Sequence, residues 1–484
     1  MENTLKLGYE QAGKTGGGQR ISYFALYVFT LLLYLRPQEL FATFFGDFPL
    51  VKIVAILALA TYVFGRIVSG ERVTIWPIEL KMLSLICALG LLFAFVARSP
   101  ADSFDVLTDT LLKVVAVFVL MINLIDSRER LLQVIRLVVI VCAFMAVGAC
   151  LTYAEGKFTP KTFPPRIQGI VNGIFGNPND LATSLDLALP LAIALALWNR
   201  GLKRLFYFGC ALALGLAVVM TFSRGGFLGL LAIALFFLFK LARHRAGAIA
   251  LIAGSMILLF AVAPGGYGSR LSSILHANQD ETGSSQARID LLSRATELVV
   301  THPIVGLGLG NFHIYSIAEQ RAHNAYLEIG AELGIIGLIA YLIILFNPFR
   351  YLRKIELATR PGEVATRNSW DSRAGPPPPD ERSADQVSIY YLSLGIQGGL
   401  IAYAVCSFFG SVQYIWDLYY IVAYAVALRA IVPLAAPAQA AAGNGLRLVS
   451  SWGATKVQPV PAVQKGALWN RPAGLVRSPG KRTL

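Results

Sequence analysis

Apolar runs long enough to cross a bilayer recur from Ile21 to Ala430, and nothing else in the sequence limits the fold as tightly. A helix needs about 20 residues to span the hydrocarbon core. Inside that core every backbone N–H and C=O must be satisfied within the segment, so each run reads as a helix. Composition agrees: 56% of the 484 residues are hydrophobic and 14% charged, with a mean hydropathy of +0.60. A soluble domain carries about 25% charge. The expectation is an all-α polytopic membrane protein of about twelve transmembrane helices. Their centres fall near Phe29, Leu57, Ala88, Val117, Val141, Leu189, Ala213, Ala232, Leu258, Ile336, Gln397 and Tyr424. The first run follows a polar stretch without a small-residue cleavage site, so it is expected as a retained helix rather than a removed signal.

Lys/Arg excess marks the cytoplasmic side of membrane proteins. With the N-terminus inside, the clusters Arg128/Arg130, Arg200/Lys203/Arg204, Lys240/Arg243/Arg245 and Arg350/Arg353/Lys354 all fall inside. The tail beyond Pro433 adds Arg447, Lys456, Lys465, Arg471, Arg477, Lys481 and Arg482 and no acid. An even helix count puts that tail inside too. The formal charge of +14 is then largely topology signal and attraction to anionic lipid. Spread over so many loops, it argues against a nucleic-acid partner.

The chain divides accordingly into a cytoplasmic N-terminus (1–20), a transmembrane domain (21–433) and a basic tail expected to lack order (434–484). Within the domain, 154–178 and 264–325 are outer loops. An inner linker, 350–387, contains "GPPPPDERSADQ" and is expected to be flexible. Loops above about 15 residues are usually functional or disordered. The longest, between the ninth and tenth helices, is where chemistry is expected. No internal repeat is evident, which weighs against a duplicated transporter. The five cysteines (Cys87, Cys142, Cys150, Cys210, Cys406) lie in or near helices at no metal-ligand spacing and read as buried free thiols.

Three stretches carry polar groups into this apolar setting, where ionisable residues are costly and usually functional. In the long loop, apolar residues at 289, 291, 292, 295, 298 and 299 have helical spacing, which predicts an amphipathic helix on the membrane surface, opened by Arg288. The loop ends at "RAHNAYLEIGAELGIIG" (321–337), with His323 at the threshold of the tenth helix. There Gly330 and Gly334 suggest close helix packing. Glu328 and Glu332 either orient His323, pair with an arginine or simply sit at the interface. "GLGLG" (306–310) lacks the strand–helix frame of a nucleotide site and reads as a turn. In "TFSRGGF" (221–227), the glycines would let a ligand approach the backbone, and Arg224 would clamp a phosphate; the alternative is a snorkelling arginine. "FGNPNDLATSLDLALPL" (175–191) offers Asn179 or Asp180 as a helix cap. Asp186 lies about 9 Å further along that helix, where it should face a polar cavity or a basic partner. Lys161 and Arg166 read as a solvated basic loop that would help draw in an anion.

Arg288 with Leu292 fits an R-x3-L pattern. His323-Asn324 followed by nine residues and Gly334-x-x-Gly337 fits H-[NSQ]-x9-G-x-x-G. In both motifs, and in "SRGG", "NPN" and "HPIVGLGLGNF" (302–312), the chain resembles the bacterial O-antigen ligases and the wider ligase and polymerase superfamily over about 170–350. The resemblance implies a glycosyltransferase of the inner membrane with its active site facing the periplasm and both termini in the cytoplasm. It would take a glycan from undecaprenyl pyrophosphate, with inversion and without a metal or other cofactor. The acceptor would be lipid A-core for a ligase or a growing lipid-linked polysaccharide for a polymerase; protein O-glycosylating transferases share the motifs. On this resemblance His323 is the candidate general base, and Arg224 and Arg288 the candidate clamp on the pyrophosphate. Arg166, Asp186, Asn324, Glu328 and Glu332 are candidate supports. A lipid or polysaccharide transporter is the rival from another class.

Overall fold

The computed structural model describes residues 17–45, 48–157, 166–241, 250, 253–254, 284–360 and 381–432. By contact the chain divides after Leu434, and everything described belongs to the first unit. The described residues are helical, with no strand among them. In chain order the main helices are α1 (Gly17–Leu35), α2 (Leu50–Val68), α3 (Ile78–Ala94), α4 (Leu112–Leu124), α5 (Arg128–Ala154), α6 (Pro178–Trp198) and α7 (Gly201–Met220). They continue as α8 (Arg224–Leu241), α9 (Ser284–Thr301), α10 (Ala325–Ala358), α11 (Glu381–Cys406) and α12 (Trp416–Ile431).

Among the described residues, seven helices are long and apolar enough to cross a membrane: α2, α5, α6, α7, α8, α10 and, from Asp385, α11. The chain is a multi-pass membrane protein. Eleven of the twelve expected centres fall in these and in α1, α3, α4 and α12. The remaining one, Leu258, lies outside the described residues. So do Lys161, the Pro-rich part of the inner linker, most of the long loop before Ser284 and the basic tail.

α6 is the central helix. It packs most extensively against α11 and α7, and even Asp186 is fully buried. Small residues allow the close approach: a Cβ at Gly395 would stand 2.8 Å from Ala194, and one at Gly398 the same distance from Pro190. Across α10 and α11, the Tyr341 hydroxyl pairs with that of Tyr403 at 2.9 Å, and Tyr403 donates to the Val412 carbonyl at 2.8 Å. Cys142, Cys210 and Cys406 are buried and Cys87 and Cys150 half-buried, all free thiols as expected.

The glycines of α10 depart from the expected smooth packing face. Gly334 has φ 67° and ψ −173°, breaking the helix. The run 302–312 docks into that break. Leu307 and Gly308 donate their N–H groups to the carbonyls of Ala331 (2.9 Å) and Glu332 (3.0 Å), and Ile335 N–H bonds to Pro303 O at 2.9 Å. Backbone groups that a broken helix leaves open are thereby satisfied. "GLGLG" is small because the fit is tight: a Cβ at Gly306 would lie 2.2 Å from the Glu332 oxygen. α9 is amphipathic as predicted, and Leu291, Ala295 and Leu298 are buried. Ala295 and Leu298 pack with Leu307, Phe312, Ala322 and Ala331.

Candidate functional site

α6, α8 and α10 begin at the same end of the bundle, so three positive helix ends converge there. Asn177, rather than Asn179 or Asp180, caps α6; its side chain accepts the N–H groups of Asn179 (2.9 Å) and Asp180 (3.0 Å). That leaves Asn179 for other work. Its side-chain oxygen accepts from Arg166 Nη2 at 2.7 Å and from Ser223 Oγ at 3.0 Å. Arg166 also donates Nε–H to the Thr221 carbonyl at 3.0 Å. It is therefore built into the α6–α8 junction rather than left in a solvated loop.

Ser223 caps α8 by accepting Gly226 N–H at 3.2 Å, and Phe222 before it has a left-handed φ of 52°. Arg224 is buried at the head of α8. The glycines after it do not leave room for a ligand, as the sequence suggested. A Cβ on Gly225 would stand 2.8 Å from Phe409, and one on Gly226 2.6 Å from Ala182. They permit close packing of α8 on α6 and on the turn after α11.

His323 sits just before α10 with φ 53°, a conformation costly for a residue with a Cβ. Its imidazole is half-buried, and among the described residues neither ring nitrogen makes a hydrogen bond. Burial first, then the charges of Arg288 and Arg321, bring its pKa down to about 4. The ring is thus neutral at physiological pH. Arg321, exposed in the loop, also acts electrostatically on Asp180 in the first turn of α6. His323, Arg288, Arg321 and Asp180 therefore share one neighbourhood, joined through Asn179 to Arg166 and Ser223.

Asn324 caps α10 by accepting Leu327 N–H at 3.0 Å. Glu328 and Glu332 are buried, and neither forms an ion pair or a hydrogen bond with the His323 ring among the described residues. Glu328 accepts from Ala322 N–H at 3.1 Å, from Gln413 Nε2 at 2.9 Å and from the Ser411 hydroxyl. Glu332 accepts from the Tyr414 hydroxyl at 2.7 Å and Phe312 N–H at 3.4 Å. Both fasten loops to α10.

Asp186 does not join this group. It is fully buried, its Oδ2 takes the Cys406 thiol at 3.4 Å, and among the described residues it has no basic partner. It lies nine residues beyond the Asn177 cap of α6, inside the bundle against Gly229. Asp417, which sequence reasoning passed over, is the better-satisfied buried acid. It accepts from Tyr34 at 2.9 Å and Ser184 at 2.6 Å. Arg321 was also missed, although its position two residues before His323 was a usable signal. Nothing in the sequence linked 411–414 to His323. Among the described residues, no cluster of three or more His, Cys, Asp or Glu is placed to hold a metal.

Residues 208–342 match the family model described as O-Antigen ligase. Over 191 residues the chain is 26% identical to an O-antigen polymerase of Salmonella muenchen, covering 37% of this chain and 47% of that protein. The chain thus spans about half the length of this relative. The family segment contains Arg224, Arg288, Arg321, His323 and the Gly334 break, whereas Arg166, Asn177–Asp180 and 407–414 lie outside it. Both matches thus make the chain similar to O-antigen ligases and polymerases, the family-model match over the segment that carries His323, Arg224, Arg288 and Arg321.

Proposed function

We propose that this protein transfers a glycan from undecaprenyl pyrophosphate to an acceptor hydroxyl at the periplasmic face of the inner membrane, as a ligase acting on lipid A-core. In this reading about twelve helices cross the membrane, and both termini are cytoplasmic. The observation that carries it is His323: a neutral imidazole beside Arg288 and Arg321, with neither nitrogen hydrogen-bonded among the described residues. The pyrophosphate is anionic and already a good leaving group. The site need only hold it and remove a proton from the acceptor.

The acceptor oxygen bonds to the anomeric carbon as the bond from that carbon to the pyrophosphate oxygen breaks. The hydroxyl proton passes to an imidazole nitrogen, and the bonding electrons leave with undecaprenyl pyrophosphate. A single displacement of this kind inverts the anomeric centre. Arg288, Arg321 and Arg224 stabilise the charge that grows on the departing oxygens, aided by the converging helix ends. Asn179 and Arg166 brace the junction of α6 and α8.

A second reading, chain extension on the lipid carrier, is favoured by the name of the Salmonella muenchen relative. Reconstituted membranes supplied with a polyprenyl-pyrophosphate glycan, lipid A-core and a chelator separate the two. A core conjugate supports the ligase and a lengthened lipid-linked glycan the polymerase. If neither forms, a transporter takes precedence. His323→Ala should lower the rate by about 10²–10⁴-fold; an unchanged rate removes the histidine from the chemistry.

A further inference from the structure

We propose that Glu328 and Ser411 are positioning residues of this site: together they hold His323 in its left-handed turn, so the segment between α11 and α12 belongs to the catalytic apparatus. The kinetic half of this inference rests on the function proposed above; the structural half does not.

Carboxylate oxygens accept hydrogen bonds. Glu328, 2% exposed, is filled by three donors. Its Oε2 takes Ala322 N–H at 3.1 Å and the Ser411 hydroxyl, and its Oε1 takes Gln413 Nε2 at 2.9 Å. Because Ser411 gives its proton to Glu328, its oxygen is left to accept, and what it accepts is the backbone N–H of His323 at 3.1 Å. The two successive peptide N–H groups that lead into the His323 turn, those of Ala322 and His323, are therefore fixed by one carboxylate, one directly and one through a hydroxyl.

The next two residues are tied to the same segment. Ala325 N–H bonds to Ser407 O at 2.9 Å, and Asn324 Nδ2 reaches Phe408 O at 3.4 Å. A residue in a sparsely populated conformation persists only where its surroundings over-determine it, and such residues gather at functional sites. Here the imidazole has no tether of its own among the described residues. Its direction is set by the backbone, and the backbone by Glu328 and Ser411.

The chemistry of the pair predicts an ordered set of variants. Ser411→Ala removes the acceptor for His323 N–H. Glu328→Ala removes the hub. Glu328→Gln retains an acceptor at the Oε2 position. Its amide nitrogen then faces Gln413, whose own side-chain oxygen is buried and has no partner among the described residues, so a flip of Gln413 accommodates it. A positioning role therefore tolerates Gln better than Ala. A role in proton transfer or charge pairing does not.

The test pairs a chemical probe with kinetics on the purified full chain. Diethyl pyrocarbonate modification of His323, followed by mass spectrometry, should run several-fold faster in Ser411→Ala and Glu328→Ala than in wild type. It should be closer to wild type in Glu328→Gln. Unchanged modification of His302 and a retained thermal transition certify folding. In the transfer assay, Ser411→Ala should lower kcat by about 10–100-fold, since misplacement by about 1 Å costs on that order, with the donor KM little changed. In a His323→Ala background the same change should cost nothing further, because residues acting as a unit are non-additive. Unaltered His323 modification in Ser411→Ala and Glu328→Ala overturns the assignment, as does a Ser411→Ala loss that adds in full to that of His323→Ala. Should wild type transfer no glycan while the modification pattern holds, the functional reading falls and the positioning role stands.

Discussion

Burial and two neighbouring guanidinium groups leave the free protein with an imidazole near pKa 4, which makes His323 a weak base until its surroundings change. A bound pyrophosphate would bring negative charge between Arg288, Arg321 and the ring, offsetting the cations and strengthening the base. The acid limb of kcat/KM reports the free enzyme and that of kcat the complex. The first should fall near pH 4 and the second measurably higher; coincident limbs would mean that the donor does not reach His323. Removing Arg288 should raise the limb of kcat/KM. Stability follows the same sign. The folded pKa lies below the ordinary 6.5, so between about 6.5 and 4 the unfolded chain takes up a proton that the folded chain refuses. Stability then declines as pH drops through that window and is indifferent to His323 above it. His323, Arg224 and Arg288 were picked out through motifs that resemble those of a known family, and the structure sets the charge of Arg288 against His323. Arg321 was in plain view but belonged to no motif, and Glu328 revealed its task only when the partners of its carboxylate were known.

Among the elements, the docking of 302–312 into the break in α10 is the most exacting fit. A methyl at Gly306 meets backbone rather than a movable side chain. Gly306→Ala should therefore cost about 1–3 kcal/mol in unfolding free energy and lower activity, through displacement of the loop that Glu332 holds. Gly209→Ala is the control: in mid-α7 a Cβ there meets nothing within 4 Å, so its melting temperature should hold or rise. Periodicity located the helices and the buried stripe of α9, because those follow from local alternation. The G-x3-G pair suggested a packing role for Gly334, and the glycines of "SRGG" suggested a ligand cradle. Glycine marks a need for space or for positive φ without saying which, and the occupant is chosen by chain far away: Phe409 against Gly225, Pro303 and Ile304 against Gly334.

For the molecule as a whole, hydropathy and charge were enough to read a polytopic helical bundle. The pairing of segments distant in sequence was not legible, because contacts such as Glu328 with Gln413 leave no local signature. Orientation makes a direct prediction. Glu319 lies exposed in the His323 loop and Lys354 near the opposite end of α10. In intact cells a membrane-impermeant maleimide should label Glu319→Cys and spare Lys354→Cys, with the reverse in inverted vesicles. The native cysteines, buried or half-buried in helices, should contribute little background. Labelling of Lys354→Cys from outside would turn the protein over and remove a periplasmic reaction.

The His323 turn is fastened by residues more than eighty positions downstream of Glu328. A ribosome feeding this chain into the membrane releases the histidine and its arginines long before Ser411 and Gln413 emerge. Throughout that interval the ingredients of the reaction are present but unassembled. A nascent or C-terminally truncated chain ending before Ser407 would enter the membrane with most of its helices but without the partners that hold the His323 turn, so that turn can be fastened only after 407–413 has been made.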